Sequence, residues 1–238
     1  MAAQSKQNLD TRVLFAGDPH GSFHQIEAMA ARHRPAGMIL LGDYELERPL
    51  HEALGAAPEL SELWWIPGNH DFDTEHYYDH LFGSALADHC LHGRVVEIAG
   101  LRIAGLGGVF QGKVWNPKEE APRFRSREAF LQHSGKGNRW RGGLPRKRRG
   151  AIWPEDVEAL AAQQADILVT HEAPSSHRHG FSAIDTLAER MGVKLIVHGH
   201  QHQDYVARTE RGNIDVYGVG LASVTDLRGH VLYQRQRR

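Results

Sequence analysis

The chain has 238 residues, 41% hydrophobic and 24% charged, with a net charge of −1 and a mean hydropathy of −0.48. That is the balance of an ordinary globular chain of one large domain. It excludes wholesale disorder and low-complexity fibres, and apolar runs such as residues 38–41 fall far below the ~20 residues a membrane-spanning helix needs. A single cysteine, Cys90, excludes an internal disulfide and a thiolate metal cluster. The polar first twelve residues contain no signal-peptide core, so a cytoplasmic protein without a membrane partner is expected.

Residues 12–17 (RVLFAG) predict a short buried strand. Ser22 then stands as the N-cap of a helix running to about Arg34, where Pro35 and Gly37 stop it. Residues 38–41 and 63–66 (LWWI) predict the next two strands, and the helix-like stretches between them argue for βαβ units in a largely parallel sheet. Residues 94–98 and 101–106 flank Ala99-Gly100 as a hairpin. Residues 166–170 (DILVT) and 194–197 (KLIV) return as buried strands around a helix over 182–191. Residues 205–208, 213–217, 223–226 and 231–234 read as short strands with glycine turns. The expected class is α/β, with two packed sheets and helices outside them, as one domain over 1–238.

Charge is distributed unevenly. Residues 111–150 hold twelve Lys and Arg against three acids, a charge of +9, so the remainder of the chain carries −10. Trp115, Phe124, Phe130 and Trp140 are interleaved with these cations. Such a stretch reads as a lid or substrate-recruiting loop, as a single-stranded nucleic-acid contact, or as a solvated surface loop. It lies outside every candidate metal-ligand motif, so a small substrate should not need it.

The polar residues after the strands carry the chemistry. The first strand ends in Gly17-Asp18-Pro19-His20-Gly21, the second in Gly42-Asp43, and the third in Pro67-Gly68-Asn69-His70-Asp71. The DILVT strand ends in His171, and the KLIV strand in His198-Gly199-His200-Gln201-His202. Ligands of open α/β sheets bind at the carboxyl ends of strands, and here five strand ends each deliver Asp, Asn or His. Any one motif alone reads equally as a turn; their common placement reads as a metal site. Carboxylate, imidazole and amide donors without thiolate suit Mn, Fe, Co or Zn. Asp43 has two oxygens with which to bridge two ions, and strand alternation would set His200 and His202, with His198, on one face. His177 and His179 read as part of a solvated loop, and Trp64 and Trp65 as core.

The ordered set GDPHG, LLGD, PGNHD, VTH and HGHQH resembles the five motifs of the calcineurin-like metallophosphoesterase superfamily, from Val13 to about Tyr217 apart from the basic stretch. The resemblance implies a four-layer αββα sandwich and two divalent ions, manganese first among them. It implies that Asp18, His20 and His202 hold one ion, that Asn69, His171 and His200 hold the other, and that Asp43 bridges them. It also implies that a bridging hydroxide attacks phosphorus while His70 contacts the phosphate and protonates the leaving oxygen. Two divalent ions outweigh two carboxylates and a hydroxide, leaving a cationic site for an anionic phosphate ester. The Gly42-Asp43-Tyr44-Glu45 sequence departs from the protein-phosphatase signature. GNHD with GHQH is more similar to the branch of cyclic-nucleotide phosphodiesterases, other small phosphodiesterases and repair nucleases. A phosphodiester or nucleotide-like substrate is therefore expected. The alternatives are a phosphomonoesterase or protein phosphatase, a nuclease, and a non-catalytic scaffold on the same fold.

Overall fold

The computed structural model describes residues 9–119, 121–211 and 213–235. β1 (Val13–Ala16), β2 (Gly37–Leu40) and β3 (Glu62–Trp65) run parallel, with Val13 beside Gly37 and Gly37 beside Glu62. β10 (Val224–Thr225) joins the free side of β1 antiparallel, and β11 (Val231–Tyr233) closes that edge, giving the order β11-β10-β1-β2-β3. The second sheet has the order β4-β5-β6-β7-β9-β8. Its members are β4 (Val95–Ile98), β5 (Leu101–Leu106), β6 (Ile167–Thr170), β7 (Leu195–His198), β8 (Tyr205–Arg208) and β9 (Asp215–Gly218). β5, β6, β7 and β9 are parallel, and β4 and β8 are antiparallel edges. The helices are α1 (His24–His33), α2 (Leu50–Ala53), α3 (Ala57–Leu60), α4 (Glu75–Phe82), α5 (Arg127–His133), α6 (Arg146–Arg149), α7 (Pro154–Ala161) and α8 (Ser182–Met191).

The two-residue period of the strands sorts their side chains into layers. Val13, Phe15, Ile39, Leu41, Ile103, Ile167, Val169 and Val197 meet between the sheets. Leu14, Ala16, Met38 and Leu40 face the other way, against Ile26 and Met29 of α1 and Leu81 of α4. Ala104, Leu106, Leu168, Ile196 and Val216 face Leu160 of α7 and Ile184, Leu187 and Met191 of α8. The result is two mixed β-sheets packed face to face and flanked by helices, the architecture the sequence predicts. No helix among the described residues is long and apolar enough to cross a membrane.

Three local readings change. Helix α1 starts one residue after its N-cap Phe23, which makes no side-chain cap bond; the Ser22 hydroxyl instead meets the side chains of His24 and Gln25. Trp65 is fully buried, but Trp64 is half-buried and lies against the ring of His89. In the basic stretch the aromatics are not a free stacking platform. Val114, Phe130, Leu144, Ala151 and Trp153 form a small core, with Trp115 and Phe124 packed on it. Trp140 lies edge-on against Tyr78 of α4 and donates its indole N–H to Glu75 at 2.6 Å. Much of the charge is matched internally. Arg127 pairs with Glu155 and Asp156, both at 2.7 Å, and Arg141 with Asp79 at 2.5 Å.

Candidate metal centre

β1, β2 and β3 of one sheet and β6 and β7 of the other end at the same crest. The turns that leave them bring together all eight residues expected from the sequence. Sharp reversals make this possible: His20, Asp43, His200 and His202 all have φ between 41° and 65°, a left-handed backbone uncommon outside glycine. Gly68 has to be glycine for a different reason, because a Cβ there would overlap the Asp43 carboxylate and the His171 ring.

Two overlapping clusters result. In the first, His20 Nε2 lies 3.1 Å from His202 Nε2, and His202 Nε2 lies 3.5 Å from Asp18 Oδ2. In the second, His171 Nε2 lies 3.2 Å from Asn69 Oδ1 and 3.3 Å from Asp43 Oδ2. Asp43, His171 and His200 offer ligand atoms that all lie within 4.8 Å of one another. Asp43 Oδ2 is also 4.0 Å from His20 Nε2, so it faces both clusters. Asp43 Oδ1 is engaged elsewhere, accepting the His70 N–H at 2.8 Å. A single oxygen is therefore shared, whereas the sequence offered both for bridging.

The hydrogen bonds around the clusters fix their tautomers. His171 Nδ1 donates to the Leu41 carbonyl at 2.7 Å, and His20 Nδ1 donates to Glu45 at 2.9 Å, because neither partner can donate. His171 Nε2 then faces two acceptors, Asn69 Oδ1 and Asp43 Oδ2, and is held against them only by a second proton or by a metal ion, while the buried Asp18 Oδ1 has no hydrogen-bond partner. A buried set of carboxylate, amide and imidazole donors that needs a proton to hold it together can take a metal ion in that proton's place, so these residues fit a metal. The electrostatics agree. Burial pushes Asp18 up to about 7 against the pull of His171. Burial would lower His171, but Asp43 and then Asp18 hold a proton on it up to about 10. Asp43 itself stays ionised, well below the usual carboxylate range, because His171 overrides its burial. Burial and the His171 charge drop His200 to about 4, which leaves a neutral imidazole suited to ligation.

Residues 11–204 match the family profile for calcineurin-like phosphoesterases. The chain belongs to that family. This calcineurin-like phosphoesterase is accordingly a metal-dependent hydrolase of phosphoric esters. It is 42% identical over 222 residues to an uncharacterized protein of Haemophilus influenzae, covering 93% of this chain and 96% of that one. The crystal structure of TT1561 of Thermus thermophilus superposes with a TM-score of 0.56 at 16% identity, covering 92% of this phosphoesterase and 96% of TT1561, a likeness of fold.

His70 stands at the rim, its ring centroid 5.5 Å from that of His20, and Nδ1 donates to Asp73 Oδ2 at 2.7 Å. Burial works against its proton, but Asp73 and Asp43 more than offset that, and its pKa rises above the ordinary histidine value. His198 does not share the His200 and His202 face. β7 ends at His198, and the left-handed turns beyond it break the alternation on which that expectation rested. His198 is instead buried, bonded to the Gly199 carbonyl and the Tyr205 hydroxyl, and burial drops it to about 3.

Sequence reasoning missed the residues that hold the ligand turns. Glu45 orients His20 and Asp73 orients His70. Asp71 accepts the backbone N–H groups of Gly68, Asp43 and Tyr44 at 2.7, 3.0 and 2.8 Å, tying the second and third strand ends together. The final Asp of GNHD and the Glu-x-Glu after Gly42-Asp43 were the available signals.

Proposed function

We propose that this metallophosphoesterase hydrolyses phosphodiesters or nucleotide-like esters over a two-ion centre, with manganese the first candidate ion, in one domain that carries the 111–150 segment within it. The observation behind this is the convergence of lone pairs from both sheets onto two clusters joined by Asp43 Oδ2. Asp18, His20 and His202 would hold one ion, and Asn69, His171 and His200 the other. When bound, such ions polarise the ester and acidify water near neutral pH. The chain's own residues do the rest. Glu45 and Leu41 hold two imidazoles in the tautomer that faces inward. His70, protonated with the help of Asp73, offers Nε2–H to the leaving oxygen.

A groove of ≈ 1090 Å³ opens beside His202, lined by His24, Gln203, Tyr233, Gln234 and Arg235 among others. A diester has an organic substituent on each side of phosphorus to place, one more than a monoester, and an aromatic ring, amides and a cation in the groove suit a nucleoside-like group. This favours the diester reading. The test is hydrolysis of bis(p-nitrophenyl) phosphate against p-nitrophenyl phosphate by Mn-loaded protein. Faster turnover of the diester is expected, and a monoester preferred tenfold or more would overturn the substrate reading. In the same assay His70→Ala should keep its metal and lose about 10²–10⁴-fold on unactivated phenyl esters, with a smaller loss on p-nitrophenyl esters. Equal losses would remove His70 from the acid role.

A further inference from the structure

The basic segment reaches the catalytic turn from its outer side. His70–Phe72 is a single 3-10 turn, and like any short helix it leaves carbonyls unsatisfied at its end. Arg146 supplies them: Nε donates to the Phe72 carbonyl at 3.0 Å and Nη2 to the Asp73 carbonyl at 2.7 Å. The planar guanidinium spans two acceptors in fixed geometry, which a point charge does not do. The neighbouring Lys147 ammonium lies 3.3 Å from Asp73 Oδ1, while Oδ2 of the same carboxylate holds the His70 ring. Gly150 closes over Phe72 so tightly that a Cβ there would strike the phenyl ring. Further along, Arg149 reaches the Tyr78 hydroxyl at 3.1 Å, and Arg141 and Trp140 grip Asp79 and Glu75 of α4, the helix that follows the turn.

We infer that residues 140–150 of the basic segment are a clamp on the His70 turn, with Arg146 as the positioning residue that sets where the His70 ring stands over the reacting ester. This rests on the reading of His70 as the acid. It narrows the expectation that small substrates are indifferent to the segment to those whose leaving oxygen needs no protonation, because the clamp acts on turnover of the others. A mispositioned group of this kind costs rate without removing a ligand, since displacements near 1 Å are worth about 10²-fold.

Arg146→Met, in the full-length Mn-loaded protein, should lower kcat about 10–100-fold on a phenyl diester. KM and metal stoichiometry should stay unchanged. On the p-nitrophenyl diester, whose leaving group needs little protonation, the loss should be under about threefold. Arg146→Lys keeps the charge and the aliphatic stem but cannot span both carbonyls. It should show the same selectivity at smaller size, and serves if the Met variant folds poorly. Equal losses on the two esters, or none on the phenyl ester, would overturn the clamp. In a His70→Ala background the Arg146 substitution should cost nothing further, whereas an undiminished additional loss would show that Arg146 acts elsewhere. If His70→Ala itself shows no selectivity between the esters, the acid role fails, and the non-additivity with Arg146 still decides whether the segment works through His70.

Discussion

The strand-end crest and the basic segment are built on opposite principles. At the crest, non-glycine residues occupy left-handed backbone, two carboxylates and several imidazoles are crowded together, and a buried carboxylate oxygen has no hydrogen-bond partner. Along the basic segment, Arg127, Arg141 and Lys147 meet acids, the guanidinium of Arg146 meets carbonyls, and apolar side chains gather into a core. Local conflict of the first kind marks the place where a protein does chemistry, because the surrounding fold must hold it against its own preference. Local agreement of the second kind marks a docked structural part. The contrast is informative because the +9 charge of the segment suggested recruitment of a polyanion, while these four cations find their partners within the chain.

Three substitutions would break or sharpen that contrast. The largest effect is expected from Asp18→Asn. Activity should fall at least about 100-fold, the upper range for disturbing even an outer partner of a metal site, with loss of bound metal. The Tm of the metal-free protein should hold or rise, since a buried carboxylate whose Oδ1 lacks a hydrogen bond becomes a neutral amide whose oxygen can still accept the His200 N–H. Metal analysis beside calorimetry reads both, and a metal-free Tm lowered by several degrees would mean the crest is not in conflict after all. Next, Glu45→Ala frees the His20 ring and should weaken metal affinity about 10–100-fold without touching the fold, as equilibrium dialysis would show; unchanged affinity would mean that Glu45 does not orient a ligand. The smallest effect belongs to Asp156, at the base of the basic segment. Burial alone would raise its pKa, but the hydrogen bonds from His92 and Arg127 pull it down to about 2. A folded-state pKa below the unfolded value of about 3.9 means a stabilising contribution that is full above that pH and lost as pH falls through about 2, about 2 kcal/mol in all. Asp156→Asn should therefore lower Tm by about 4–8 °C at pH 7, with the gap to the wild type narrowing from pH 4 downward and metal-dependent turnover unaffected. A gap independent of pH would assign the loss to the Trp153 N–H that Asp156 also accepts.

The layers were legible because strands such as Val13–Ala16 and Ile167–Thr170 are buried on both faces and bounded by sharp polar turns, so boundaries shifted by only one or two residues. The eight crest residues were legible because each closely follows a strand. What was not legible depended on long-range partners. Glu45 and Asp73 look like surface acids until the turns fold back, and α4 (EHYYDHLF) has no strong apolar stripe until its Glu75 and Asp79 meet Trp140 and Arg141 of a segment some 60 residues away. The face expected for His198 fails because the strand period does not continue past the end of the strand.

The position of β10 has a consequence for how the chain is made. β1 leaves the ribosome ahead of the other described strands, yet its second neighbour is residues 224–225, and the Asp18 turn is closed by the Gly17 N–H on the Ser223 carbonyl and the Ala222 N–H on the Asp18 carbonyl. At about 5–20 residues per second, roughly 10–40 s of synthesis separate the strand from its partner. Throughout that interval a fully apolar edge, Val13 to Ala16, stays open to wrong pairing. The strand that leads into Asp18 thus waits longest for its second neighbour, and the catalytic centre is among the last parts the growing chain can complete.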